Sequence, residues 1–238
     1  MIADETMKSV LKEVFERTAA AVQAGPFRGM TLIEESSWHG GNILQKLLGT
    51  YECELHQEIE RIVAINPALV INIGCAEGYY AVGLALRLPQ AVIHVFDKDP
   101  VALQICERTA KANRAEINLR LEAPPSTSAL TTILRNESRA ALFVDCEGCE
   151  KTLFEEVARD MLVMSTIIVE CHDYIHCGIT DSLQRKFEGT HEMKFISQGG
   201  RNPNADPLLQ SYHEDVRWLA VSEGRPVPMH WLCAYPKV

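Results

Sequence analysis

The sequence predicts an α/β fold wound around a mostly parallel sheet, and two observations carry that prediction. The first is the stretch at 70–80, VINIGCAEGYY. A short apolar-leaning run meets Gly74, Ala76 and Gly78, and a helix-like YYAVGLALRL follows, which reads as strand, tight turn, helix. The second is the texture from Ala68 onward, where short apolar runs alternate with helical stretches. Such alternation implies right-handed crossovers between parallel strands.

The elements follow in order. Met7, Val10, Leu11, Val14, Phe15 and Thr18 share one helical face, so a helix is expected over 4–23, ended by Gly25-Pro26. A loop with Gly29, Trp38, Gly40 and Gly41 comes next. Leu44, Leu47, Leu48, Tyr51, Leu55 and Ile62 then mark one or two helices interrupted near Gly49. Residues 1–64 read as a helical extension that packs on the sheet edge, with a lid over a ligand as the sharper alternative. Strands are expected at 68–73, 91–96, 117–121, 141–145 and 166–171. Helices are expected at 79–88, 100–113, 127–136, 150–163 and 180–188. The tail adds a strand at 193–197, a helix at 207–221 and a strand at 230–235. No repeat or linker divides the 238 residues, so one domain is expected, with its core over 65–238.

Composition narrows the function classes. The formal net charge is −9 and the pI about 5.4. Both disfavour a broad phosphate-tracking surface, and so nucleic acid as a partner. No apolar run is long enough to span a bilayer, and no secretory signal leads the chain. A cytoplasmic protein with reduced thiols is therefore expected from its eight cysteines. Cys146 and Cys149 form a C-x-x-C, but no second pair completes a zinc site, so buried, inert cysteines are expected.

The glycine turn lets backbone approach a ligand, and helix-start N–H groups favour an anionic or polar group there. The next strand, AVIHVF, ends in Asp97, about twenty residues past the turn, where such folds place the acid that binds ribose hydroxyls. Asp99 is the better N-cap for the helix beginning near Pro100. Neither a Walker loop nor G-x-G-x-x-G is present. Instead Asn72, Gly74, Ala76 and Gly78 resemble the acid-x-Gly-x-Gly-x-Gly loop of class I S-adenosylmethionine-dependent methyltransferases. Asn72 replaces the usual acid and Ala76 the middle glycine. The resemblance implies cofactor contacts from Asn72, Gly74, Cys75, Ala76, Gly78, Tyr79 and Asp97. It also implies Glu122 and Ala123 beside the adenine.

The fourth strand exits as DCEGCE and the fifth as IVECHD. Their tips gather Asp145, Glu147, Glu170, Asp173 and His172 around one crevice, where open α/β sheets bind ligands. The segments at 145–150 and 168–173 resemble the Asp-x-Glu-Gly-x-Glu and Ile-x-Glu-x-His segments of the FkbM-like methyltransferases, and the similarity covers about 45–235. It implies a Rossmann-like, doubly wound seven-stranded sheet with an antiparallel last strand. It further implies S-adenosylmethionine as cofactor and methylation of a small-molecule hydroxyl, in a sugar or secondary metabolite.

Such chemistry needs alignment and removal of one proton. His172 is the candidate base, because imidazole titrates near neutral pH. Glu170 or Asp145 would orient it, or Asp145 would bind the cofactor's ammonium. Glu147, Asp173 and Arg201 are candidate substrate contacts. Arg225, before the last strand, is expected in an intramolecular ion pair, and Trp231 and Tyr235 in the core. Carboxylates at 145, 147, 170 and 173 could also hold a divalent ion, but their spacing is no dedicated ligand pattern and no metal ligand is assigned. An NAD(P)-dependent dehydrogenase and a non-catalytic nucleotide-binding protein of the same fold remain as alternatives.

Overall fold

A computed structural model describes residues 2–37, 42–122, 127–137 and 139–237. Trp38, Gly40, Gly41 and Ala123, singled out above, lie outside the described residues. The sheet has seven strands: β1 Leu69–Ile73, β2 Val92–Phe96, β3 Leu119–Glu122, β4 Ala140–Val144, β5 Thr166–Cys171, β6 His191–Ser197 and β7 His230–Pro236. Their order is β3-β2-β1-β4-β5-β7-β6. The pairs among β1 to β5 are parallel, and β7 runs antiparallel to both neighbours. This is the Rossmann-like, doubly wound sheet that the resemblance implied.

The helices are α1 Ile2–Arg17, α2 Ile43–Leu48, α3 His56–Ile65, α4 Tyr79–Arg87, α5 Pro100–Ala112, α6 Thr127–Asn136, α7 Glu150–Glu156, α8 Ile179–Phe187 and α9 Glu214–Ala220. Among the described residues, no helix is long and apolar enough to cross a membrane. Strand alternation splits the apolar residues into two cores. Val70, Ile93, Phe143, Ile168 and Trp231 face α1–α5, in a core shared with Val10, Leu44 and Ile59. Ile71, Phe96, Leu142, Val169 and Leu232 face α6–α8, with Phe154 and Leu183. Trp231 and Tyr235 are buried in the first of these cores.

The same parity positions the site. Asp145 continues the face of Phe143, while Glu170 and His172 continue that of Ile168. All three therefore project to the α1–α5 side of the sheet's C-terminal edge.

Three helices are shorter than expected. The first ends at Arg17 because Ala19 and Ala20 adopt left-handed conformations, and the chain doubles back to pair Ala21 with Thr31. The helix after β4 ends at Glu156, where Val157 turns extended and buries its side chain. The tail helix begins only at Glu214, with the His213 ring accepting from the Asp215 N–H.

Residues before β1 are fixed rather than loosely draped. All of α2 is buried. Its Lys46 forms a buried ion pair with Glu77 of the glycine turn. Glu52 pairs with Arg225, and Arg201 with Glu54 at 2.7 Å. Those pairs tie the N-terminal extension to the C-terminal tail.

Candidate functional site

A cavity of about 1190 Å³ opens over the C-terminal edge of the sheet. Ile73, Gly74 and Ala76 line its floor; Asp97, Lys98 and Asp99 stand at one end. Asp145, Cys146, Glu147, Glu170 and His172 stand at the other, and Lys46 and Tyr51 supply a wall from the N-terminal extension.

Backbone geometry makes the floor. Gly74 has φ +81°, and a Cβ there would lie 1.6 Å from the Asp145 carbonyl oxygen. Only glycine lets the β1 exit pass that close to the β4 exit. Ala76 keeps the left-handed conformation, φ 45°, at the position where the methyltransferase loop has a glycine. Its N–H donates to Asp97 Oδ2 at 3.0 Å, and the Asp99 N–H donates to Asp97 Oδ1 at 2.9 Å. Each Asp97 oxygen thus retains one lone pair for a ligand hydroxyl. Asp99 caps α5 through the Val101 N–H at 2.8 Å.

The remaining loop residues turn away from the cavity. Cys75 and Tyr79 are buried in the core. Asn72 is buried in β1, donating to the Phe143 carbonyl at 3.3 Å. Gly78, also off the lining, starts α4. Glu122 ends β3 and pairs with His94, also outside the lining.

At the other end, His172 is buried and Nδ1 lies 2.7 Å from Glu150 Oε1. The same oxygen accepts from the N–H groups of Cys146 at 3.3 Å and Gly148 at 3.2 Å. Glu150 therefore orients the ring, the role expected of Glu170 or Asp145. The outward Nε2 faces Glu147 at 3.5 Å and Asp145 and Glu170 at 3.6 Å each. Burial opposes the imidazolium, but the Glu150 hydrogen bond and the charges of Asp145, Glu150 and Glu147 outweigh it, so the His172 pKa is raised.

The carboxyls around it compete for too few cations. Glu170 and Glu52 both pair with Arg225, the ion pair expected for that arginine. Burial, then the neighbouring Asp145 and Glu52 charges, pushes Glu170 well up despite Arg225. Burial also pushes Glu52 up to about 7, against Arg225. Asp145 is raised by burial, and its Oδ1 is buried with no hydrogen-bond partner among the described residues. Such orphaned acceptors in an acid-rich cavity suit a cationic ligand.

Two predicted substrate contacts lie elsewhere. Asp173 accepts from the Thr180 N–H at 3.2 Å at the start of α8. Arg201 is buried between Glu54 and Glu223, lining a smaller cavity of about 340 Å³.

The cysteine expectation is corrected. Cys146 and Cys149 form a disulfide, with Cα atoms 5.5 Å apart, and both line the cavity. Glu147 at φ 55° and Gly148 at φ 100° curl the chain, which brings the two Cα atoms within bridging distance. Cys149 is exposed and Cys146 half-buried, so neither is a core residue. The other six cysteines are free, and Cys53 and Cys177 among them are exposed.

Sequence reasoning missed Glu150, Glu52 and Lys46 as site residues. Glu150 closes the 145–150 acid segment, which was its one visible signal. For Glu52 and Lys46 no signal existed, because only tertiary packing brings Lys46 to the cavity and Glu52 to the arginine that pairs with Glu170.

Among the described residues, donor groups for a metal ion exist in three places. Asp145, Glu147 and His172 form one, Glu52, Asp145 and Glu170 a second, and Cys171, Asp173 and His230 a third. In the third, the Thr180 hydroxyl already bonds Asp173 and His230. The first combines an orphaned Asp145 oxygen with a solvent-facing carboxylate, so its donor set fits a divalent ion.

Solved structures that share this fold include several methyltransferases. An O-methyltransferase from Bacillus cereus, in complex with SAH, matches at TM-score 0.52 and 14% identity, over 96% of this chain and 91% of that one. A Podospora anserina methyltransferase, SAH-bound, matches at TM-score 0.51 and 13% identity, over 96% and 88%. The precorrin-6y C5,15-methyltransferase of Geobacter metallireducens matches at 0.51 and 13%, over 76% and 89%. At these identities the likeness is one of fold. No protein-family model matches the chain, and no curated protein matches its sequence.

Proposed function

We propose that this chain is an S-adenosylmethionine-dependent methyltransferase that acts on a hydroxyl oxygen of a small molecule. The observation that carries the reading is one cavity with Asp97 at one end, a bare backbone floor at Gly74 and Ala76, and an oriented imidazole at the other end. Two features fit the cofactor. Asp97 retains acceptor capacity for ribose hydroxyls, and the acid surplus with its orphaned Asp145 oxygen suits the cationic sulfonium and ammonium. The cavity, about 1190 Å³, exceeds the range of about 300–1,000 Å³ usual for small-molecule sites, which leaves room for an acceptor beside the cofactor. The acid segments at 145–150 and 168–173 support a place among FkbM-like enzymes, which methylate sugars or secondary metabolites.

S-adenosylmethionine, when bound, supplies an activated methyl with a neutral leaving group. The protein's work is then positioning and one proton transfer. Asp97 and the main chain at 74–76 hold the nucleoside end. Asp145 holds the ammonium end. His172 Nε2 takes the acceptor's hydroxyl proton, while Glu150 fixes the ring and stabilises the imidazolium. Glu147, partly in solvent, lies where it can contact the acceptor. Lys46, Tyr51 and the rest of the extension wall the site from water.

A thermal-shift comparison of S-adenosylhomocysteine with NADH tests the reading. The expected result is a shift with the first and none with the second. A shift with NADH alone would support the dehydrogenase alternative instead. The combination of an orphaned Asp145 oxygen with Glu147 and His172 favours one second reading, a divalent ion that lowers the acceptor hydroxyl's pKa.

A further inference from the structure

The disulfide stands inside the functional loop, not beside it. Its four-residue ring, Cys146-Glu147-Gly148-Cys149, connects Asp145 to Glu150. Within that ring, the Cys146 and Gly148 N–H groups hold the Glu150 oxygen that also holds His172. The ring also keeps Glu147 at φ 55°, a conformation costly for a non-glycine residue unless its surroundings impose it. Glu147 Oε2 thereby comes 3.5 Å from His172 Nε2. Cys149 is exposed, so a soluble thiol can reach the bond.

We propose that Cys146–Cys149 is a redox-active site whose substrate is a dithiol, and that its state sets the geometry of Glu147, Glu150 and His172. In the reductive step, one sulfur of the dithiol attacks exposed Cys149, and Cys146 leaves as thiolate. The dithiol's second sulfur then displaces Cys149. The S–S bond of the protein is broken, one forms in the reductant, and two electrons and two protons end on the two cysteines. In a reducing compartment such a bridge is a transient redox element rather than a fixed staple.

Opening the ring frees Glu147 from its left-handed conformation and releases the two N–H groups from Glu150. His172 then loses the fixed placement of two of the carboxylates that face it. The groups facing its ring are Asp145, Glu147 and Glu150 on the loop, Glu170 on β5, Tyr174 after it, and Arg225 behind Glu170. Of these, Glu147 and Glu150 depend on the ring.

The inference goes beyond methyl transfer, and its test needs neither cofactor nor acceptor. The intact protein is treated with dithiothreitol, then alkylated in denaturant, and the modified cysteines are counted by mass spectrometry. The expected count rises from six to eight, with the far-ultraviolet circular dichroism unchanged. In parallel, the His172 ring resonances are followed by ¹⁵N NMR at one fixed pH. They are expected to move on reduction, to return on reoxidation, and to lie at the reduced position in Cys149→Ser without reductant. A count that stays at six, loss of the fold on reduction, or the same His172 ring resonances in all three forms would overturn the proposal.

Discussion

Replacing Glu150 by Gln tests the electrostatics of the candidate base. Gln keeps the size of Glu150 but removes the charge beside His172 Nδ1 at 2.7 Å. A hydrogen bond to a charged group contributes about 1.5–3 kcal/mol, which at about 1.36 kcal/mol per pH unit corresponds to about one to two units of imidazole pKa. Burial, the opposing influence in the native protein, then prevails. The His172 midpoint, raised in the native protein, should therefore drop in the variant. The sign extends to stability. A histidine whose folded pKa is raised stabilises fully below its unfolded pKa, and that contribution fades as pH rises through the folded pKa. The variant should be less stable than the native protein below about pH 6.5, with the gap narrowing at higher pH. The acid limb of any rate profile should move to lower pH, because the base is freed earlier. The assay is a ¹⁵N NMR titration of the ring with urea melts at several pH values. An unchanged midpoint would refute the assignment of Glu150 as the group that raises it.

Three further outcomes are expected. His172→Ala should lower methyl transfer to a hydroxylated acceptor by about 10²-fold or more while calorimetric cofactor affinity is kept; normal turnover would remove the base role. Gly74→Ala should destabilise the protein by more than about 3 kcal/mol in urea, since the added carbon would sit 1.6 Å from the Asp145 oxygen; a loss within about 1 kcal/mol would contradict the close crossing. Chelation with EDTA should leave turnover unchanged, whereas a loss restored by Mg²⁺ would move Asp145, Glu147 and His172 into the role of ligands.

Much of the fold was legible because it rests on local patterns. Strand alternation and the glycine turn at 74–78 specify β1, α4 and their neighbours almost residue by residue. The left-handed Ala76 shows that the turn's conformation persists where its glycine does not. The site was legible only where residues share a strand tip, as with Asp145, Glu170 and His172. Glu150 was hidden because an acid in the first turn of a helix is ordinary, and only the third dimension aims it at His172. Glu52, 118 residues before Glu170, meets it through Arg225, a contact no spacing encodes. Arg201 read as a substrate contact for the same reason: its partners Glu54 and Glu223 are distant in the chain. The early helix stops at Arg17 and at Glu156 came from backbone turns with no glycine or proline to announce them.

The most direct measurement is calorimetric titration of S-adenosylhomocysteine into the native protein and into Asp97→Ala. The account expects one site per chain in the native protein. It expects affinity reduced by about tenfold or more in the variant, the loss of at least one charge-assisted hydrogen bond. No heat of binding to the native chain, or equal affinity in both, would show that the nucleoside does not lie across the ends of β1 and β2.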